Sequence, residues 1–207
     1  MKGITRVLFD FGGVLVNLDK QRCLQAFTNI GLRVDSFISK YTQSGIFLGL
    51  ERGELSADDF RVAIKEMSSH DVSDEAIDFA WNSFLLDIPH YKLDLLLALR
   101  KQYRVLMLSN TNAIHFEQVA LREFAKNGLS IDNYFDHCYL SYQLGLAKPD
   151  KAIFDYVLEK EQVPASEILF LDDGVQNIEM AQELGFQTYL VKENEDFSSI
   201  FKPITAR

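Results

Sequence analysis

Five side chains carry most of the chemistry open to this chain: Asp10, Ser109, Lys148 and the adjacent acids Asp172 and Asp173. Asp10 ends the apolar run Val7-Leu8-Phe9, Ser109 ends Val105-Leu106-Met107-Leu108, and the acid pair ends Ile168-Leu169-Phe170-Leu171. Lys148 stands just beyond Cys138-Tyr139-Leu140. Burying an unpaired carboxylate at the end of a strand costs roughly several kcal/mol, so Asp10 calls for a cation, a proton or backbone N–H groups. Three carboxylates, a lysine and a hydroxyl together suit a hard divalent cation and a phosphate, because Mg2+ takes oxygen ligands and combines one or two carboxylates with water and substrate oxygens. In such a pocket an aspartate can attack phosphorus, forming an aspartyl-phosphate that water hydrolyses. The metal and Lys148 would offset the charge on the transferring group. Taken singly, each residue has a plainer explanation: Ser109, Asp172 and Asp173 stand where helix N-caps stand, and a lysine before Pro149 could be a solvated loop residue.

The elements that must bring these residues together are legible in the periodicity. From Pro89 onward, short apolar runs alternate with helical patterns over 91–102, 113–127, up to about 162, and 175–184, with Gly128 and Gly185 as stops and a last strand over 188–191. That alternation builds a parallel sheet, and ligands bind such sheets beyond the carboxyl ends of the strands, where the strand order reverses. Residues 17–89 read as helices only: one opening at Asp19, one over 36–41, a glycine-bounded turn over 45–53, a capping box at Ser56 to Asp59 opening a helix through Met67, and another after Ser73. Phe47, Phe60, Ile64, Ile77, Trp81 and Phe84 recur at helical spacing, which marks the core of a small helical unit rather than an aromatic cage. The expected division is a core of residues 1–16 and 90–207 with a helical cap over 17–89.

Composition narrows the partners. At 207 residues, 47% hydrophobic and 25% charged, the chain can bury a full core and a small appended one. A net charge of −9 disfavours nucleic acid and anionic membrane surfaces and leaves a small molecule as the expected partner. Cys23 and Cys138 lie far apart in apolar surroundings, as buried thiols of a reducing compartment do, and the N-terminal stretch has no secretory pattern, so a cytoplasmic location is expected.

Four segments, in order, resemble the motifs of the haloacid dehalogenase-like hydrolase superfamily: F-D-F-G-G-V-L (9–15), L-S-N-T-N (108–112), G-L-A-K-P-D (145–150) and L-F-L-D-D-G-V-Q-N-I (169–178). The match spans almost the whole chain, and S-N-T-N-A-I-H (109–115) with Y-L-S-Y-Q-L-G-L-A-K-P-D (139–150) is similar to sugar phosphatases that hydrolyse α-D-glucose 1-phosphate. The resemblance implies an α/β fold, a Rossmann-like doubly wound parallel sheet with a helical cap inserted after the first strand. It implies a Mg2+-dependent phosphatase of small sugar phosphates, with Asp10 as nucleophile and metal ligand and the Gly12 carbonyl as a second ligand. Ser109 and Asn110 would bind phosphate, and Lys148 would orient both nucleophile and phosphate. Asp173 would be a direct metal ligand, with Asp172 beside it and Asn177 in support.

One position departs from the superfamily's commonest phosphatases, which carry a second aspartate two residues after the nucleophile as general acid and base. Here that position is Gly12. A backbone carbonyl survives the change but a proton donor does not, and such help is worth roughly 10²–10⁴-fold in rate. Asp19 and His115 are the candidates for the missing acid or for a substrate contact, while Phe47 and Arg52 could line the substrate entrance. Two other functions stay open at this level: a metal-independent 2-haloacid dehalogenase, which the pair Asp172/Asp173 disfavours, and a weakly catalytic protein that binds a phosphometabolite because Gly12 has replaced the acid.

Overall fold

The computed structural model describes residues 3–32, 45–192 and 195–201. Its centre is a five-stranded sheet of β1 (Arg6–Phe9), β2 (Arg104–Ser109), β3 (His137–Leu140), β4 (Ile168–Asp172) and β5 (Gln187–Leu190). The order is β3-β2-β1-β4-β5 and every pairing is parallel. Side chains alternate across a strand, and β1 uses this fully. Val7 and Phe9 pack into a core layer with Val105, Met107, Leu96, Leu99, Phe124 and Phe197. Leu8 faces the opposite layer with Leu106, Leu108, Ile153, Phe154 and Ile178. Both faces are thus covered by helices, which explains why the strands read as unbroken apolar runs. Phe9 stands level with Met107 on one side and Leu171 on the other, so β1, β2 and β4 end within two residues of one another where the strand order reverses.

The helical unit between β1 and β2 contains α1 (Lys20–Asn29), α2 (Ile46–Glu51), α3 (Ala57–Met67) and α4 (Asp74–Asn82). Phe27, Phe47, Phe60, Ile64, Ile77 and Trp81 pack into one core cluster, joined by Ile114 from beyond β2, with the Phe47 and Trp81 ring centroids 4.9 Å apart. The capping box predicted at Ser56 is present, Ser56 and Asp59 each bonding the other's backbone. The segment read as a turn over 45–53 is largely helix: Phe47 and Leu50, three residues apart, are both buried, and burying that face outweighs the weak helical preference of Gly49. The helix expected over 36–41 lies outside the described residues.

After Pro89, α5 (His90–Leu99) leads to β2. The long helix expected over 113–127 is divided into α6 (Ala113–His115), a π turn over Phe116–Ala120 and α7 (Leu121–Ala125), an arrangement that keeps Phe116, Val119, Ala120 and Phe124 within the core. Then come α8 (Ile131–Tyr134), β3, α9 (Ser141–Leu144), α10 (Lys151–Glu161), β4, α11 (Val175–Glu183) and β5. Among the described residues no helix is long and apolar enough to cross a membrane.

Candidate active site

Asp10 leaves β1 with its N–H donated to the Leu171 carbonyl at 2.8 Å, which fixes its backbone against the end of β4. Its Oδ1 accepts the Phe11 N–H at 2.7 Å and lies 2.8 Å from Lys148 Nζ. The ammonium also reaches Asp172 Oδ2 at 2.6 Å, so one lysine bridges the ends of β1 and β4. Asp172 is wholly buried, and its Oδ1 accepts the Gly174 N–H at 2.7 Å and the Asn177 amide at 2.8 Å. All of this leaves Asp10 Oδ2 without a hydrogen bond among the described residues.

The loops explain how Lys148 is held. Asn110 Oδ1 accepts the Lys148 backbone N–H, and Asn110 Nδ2 donates to the Lys148 carbonyl, both at 2.8 Å. Both ends of that side chain are therefore engaged, and the part of Asn110 open to a ligand is its backbone. The Ser141 hydroxyl accepts the Thr111 N–H at 2.9 Å and donates to the Thr111 carbonyl at 3.0 Å, pinning the loop after Ser109 to the start of α9. Ser109 is itself buried, and its hydroxyl has no hydrogen-bond partner among the described residues.

Asp173, the exposed member of the acid pair, lies against Gly13. A Cβ on Gly13, whose φ is +73°, would stand 2.2 Å from Asp173 Oδ2, so only glycine permits this approach. One oxygen from each of Asp10, Asp172 and Asp173 lies within 4.8 Å of the others. Three carboxylates against one lysine leave the cluster short of positive charge, and hard oxygen donors at this spacing fit Mg2+. The Gly12 carbonyl accepts no backbone hydrogen bond among the described residues and is available beside them.

Burial pushes the Asp10 carboxyl well above the ordinary carboxylate range, Lys148 pulls it back, and Asp172 and Asp173 push it further up. Asp173 is raised by its own burial and by Asp172. Burial opposes the charge on Lys148, but Asp10 and Asp172 outweigh it and leave the ammonium above the usual lysine value. A cation among the carboxylates is what these directions ask for.

Of the two candidate acids, His115 has a structural role. It is buried, its Nε2 donates to the Trp81 carbonyl at 3.1 Å, and its ring stacks on Trp81 with centroids 4.4 Å apart. Asn112 supports the same junction, its Oδ1 accepting the His115 N–H at 3.0 Å and the Trp81 Nε1–H at 3.3 Å. Burial lowers the imidazole pKa from 6.5 to about 4, against the pull of the Trp81 carbonyl. A group neutral in the fold and charged in the unfolded chain costs stability as pH falls below 6.5 toward 4. That difference is worth about 3 kcal/mol by pH 4. Replacing His115 with Gln should flatten that part of a stability-against-pH curve from denaturant unfolding; an unchanged slope would assign the loss to other groups.

Asp19 is the N-cap of α1, its Oδ1 accepting the Arg22 N–H at 2.9 Å. Phe47 belongs to the helical unit's core rather than to an entrance, because its ring is enclosed by Phe27, Phe60 and Trp81. Arg52 reaches across to Asp150 at 3.0 Å, tying the helical unit to the loop that carries Lys148. A cavity of about 560 Å³, lined by Arg22, Asp78, Asn82, Gln118 and Arg122 among others, holds none of the site residues. Glu51, in the segment E-R-G-E (51–54) that composition marks as a turn of the helical unit, has a partly buried carboxyl that feels the charge of Lys148.

Comparison with known proteins follows the same line. The profile of haloacid dehalogenase-like hydrolases matches residues 4–185. The chain is 42% identical, over 94% of its length and 95% of the relative's, to a D-ribitol-5-phosphate phosphatase of Bacteroides thetaiotaomicron. A crystal structure of a haloacid dehalogenase-like enzyme from that bacterium, in complex with magnesium and inorganic phosphate, superposes with a TM-score of 0.91 at 46% identity, covering 96% of this chain and 99% of that one. An L-2-haloacid dehalogenase superposes with a TM-score of 0.64 at 17% identity, over 92% of this chain and 85% of its own, a likeness of fold alone.

Proposed function

Since the chain belongs to the haloacid dehalogenase-like hydrolase family, we propose that it acts on the phosphate ester of a small sugar or polyol through an aspartyl-phosphate on Asp10. The coarser activity is that of a Mg2+-dependent phosphoric monoester hydrolase. The observation that carries the aspartyl-phosphate step is that Lys148 and the Phe11 N–H both engage Asp10 Oδ1, leaving Oδ2 without a hydrogen bond among the described residues.

Asp10, the Gly12 carbonyl and Asp173 would hold Mg2+, with Asp172 holding Lys148 in place beside them. The bound ion would supply Lewis-acid charge to the phosphate oxygens. Lys148 and the Ser109 hydroxyl then meet the phosphate from the other side, with the backbone of Asn110 in support. Asp10 Oδ2 forms the new bond to phosphorus as the ester oxygen leaves, and water in a second displacement returns the carboxylate and frees phosphate. Arg52 and Asp150 keep the helical unit over this loop, where it would exclude bulk water.

The 5-phosphate of ribitol is the first substrate to try, on the strength of the relative named above, and α-D-glucose 1-phosphate the second. The two free thiols, Cys23 buried and Cys138 partly so, support a reducing, cytoplasmic setting. Phosphate release from a panel of pentitol, pentose and hexose phosphates, with Mg2+ and with chelator, tests the proposal. A preference of tenfold or more in kcat/KM for sugar or polyol esters supports it; equal rates on all esters would remove the substrate class.

A further inference from the structure

Every aliphatic phosphate ester leaves behind a strongly basic alkoxide unless something protonates it, and Gly12 cannot. Glu51 ends α2 at the edge of the helical unit, and the residues after it are docked on the core at two points. Arg52 pairs with Asp150, two residues past Lys148. Gly53, with φ +68°, lies so near the Tyr142 carbonyl that a Cβ there would stand 2.1 Å from its oxygen. These contacts flank the loop carrying Lys148 from both sides and hold Glu51 in the field of that ammonium, itself 2.8 Å from Asp10. The Glu51 carboxyl has neither a hydrogen bond nor an ion pair among the described residues, although the acids around it are paired: Asp10 and Asp172 with Lys148, Asp150 with Arg52. A partly buried acid held near the Lys148 ammonium, with no hydrogen bond or ion pair among the described residues, is available for proton transfer.

Resting on the phosphatase reading, we propose that Glu51 is the acid and base that position 12 lacks. In the first step Asp10 Oδ2 bonds to phosphorus, the bond from phosphorus to the ester oxygen breaks, and the Glu51 carboxyl gives that oxygen its proton, releasing the alcohol. In the second, the Glu51 carboxylate takes a proton from water, the water oxygen bonds to phosphorus, and the bond to Asp10 breaks, freeing phosphate and restoring the acid. Both forms of the group are needed, and burial holds its carboxyl up at about 7 against the opposing pull of Lys148, so both are present near neutrality.

The test compares Glu51→Gln with the wild-type enzyme on D-ribitol 5-phosphate, a poor leaving group, and p-nitrophenyl phosphate, a good one. With the alkyl ester, kcat should fall by roughly 10²–10⁴-fold. With the aryl ester the first step needs no proton, so the variant should release a burst of about one p-nitrophenol per active site and then turn over slowly. A Cβ at position 12 meets only Leu18, at an ordinary contact distance of 3.7 Å, so the backbone there accepts a side chain and Gly12→Asp should restore alkyl-ester turnover in the Glu51→Gln background. Equal losses on both esters without a burst, or a rise in KM alone, would overturn the proposal. Should Glu51→Gln fail to fold, Glu51→Asp, whose carboxyl is withdrawn by one methylene, must still show the burst on the aryl ester and none on the alkyl ester; equal losses without a burst would overturn it too. A wild-type enzyme that hydrolyses neither ester in Mg2+, or does so equally well as Asp10→Asn, would instead defeat the phosphatase reading beneath it.

Discussion

Replacing Asp10 with Asn should lower phosphate release by roughly 10⁴–10⁶-fold while leaving the protein at least as stable as before. The amide has no nucleophilic oxygen, so the first displacement is lost rather than slowed. Its remaining oxygen can still accept the Phe11 N–H and the Lys148 ammonium, which preserves the local geometry. Removing a carboxylate from a cluster where burial and two neighbouring acids already oppose its charge relieves repulsion. Thermal unfolding and a phosphate-release assay on the same preparation separate the two effects. Turnover above a hundredth of the wild-type rate in a folded variant would take the nucleophile's role from Asp10. Loss of both activity and fold would show that Asp10 serves the structure first.

Lys148→Met should do the opposite, harming the fold as well as the chemistry. Removing one member of a buried ion pair leaves the other uncompensated and costs about 3–5 kcal/mol, and here two buried acids, Asp10 and Asp172, lose the same ammonium. In a chain of this length that corresponds to a fall in Tm of about 6–20 °C. Mg2+ should raise the Tm of the variant more than that of the wild type, because the carboxylates it binds then have no other cation. Scanning calorimetry with and without Mg2+ decides it: a fall of less than 2 °C, with the same Mg2+ response in both proteins, would mean that the bridge contributes little to holding β1 and β4 together at their ends.

How far the site was legible varies with the kind of signal. Asp10, Ser109, Asp172 and Asp173 announce themselves because each closes an apolar strand, and an acid at such an end is expensive unless it serves something. Lys148 was legible through its neighbours rather than its own position. Asn110 illustrates the limit: its residue type suits a phosphate, yet its side chain is spent on the backbone of Lys148, a contact made across 38 residues. Helical spacing places Phe47 in the helical unit's core, whereas the glycines around it suggest a turn where the structure has α2, since tertiary burial of Phe47 and Leu50 prevails over local glycine signals.

By itself the sequence determined the alternation of apolar strands and helices, the inserted helical unit and the acids at the strand ends, because these follow from local periodicity and from the cost of burying charge. Only the tertiary structure decided which of the remaining polar groups are enclosed by packing and which stay open near the strand ends. His115 and Glu51 both stand in helical segments of unremarkable pattern, yet one is closed off beneath Trp81 and the other, within the field of Lys148, has no hydrogen bond or ion pair among the described residues. That difference depends on how the helices between β1 and β2 meet the sheet's loops, and the contacts there join residues far apart in the chain, such as Arg52 with Asp150 and Trp81 with Asn112. Local patterns of 2 and 3.6 residues carry no information about such long-range pairings.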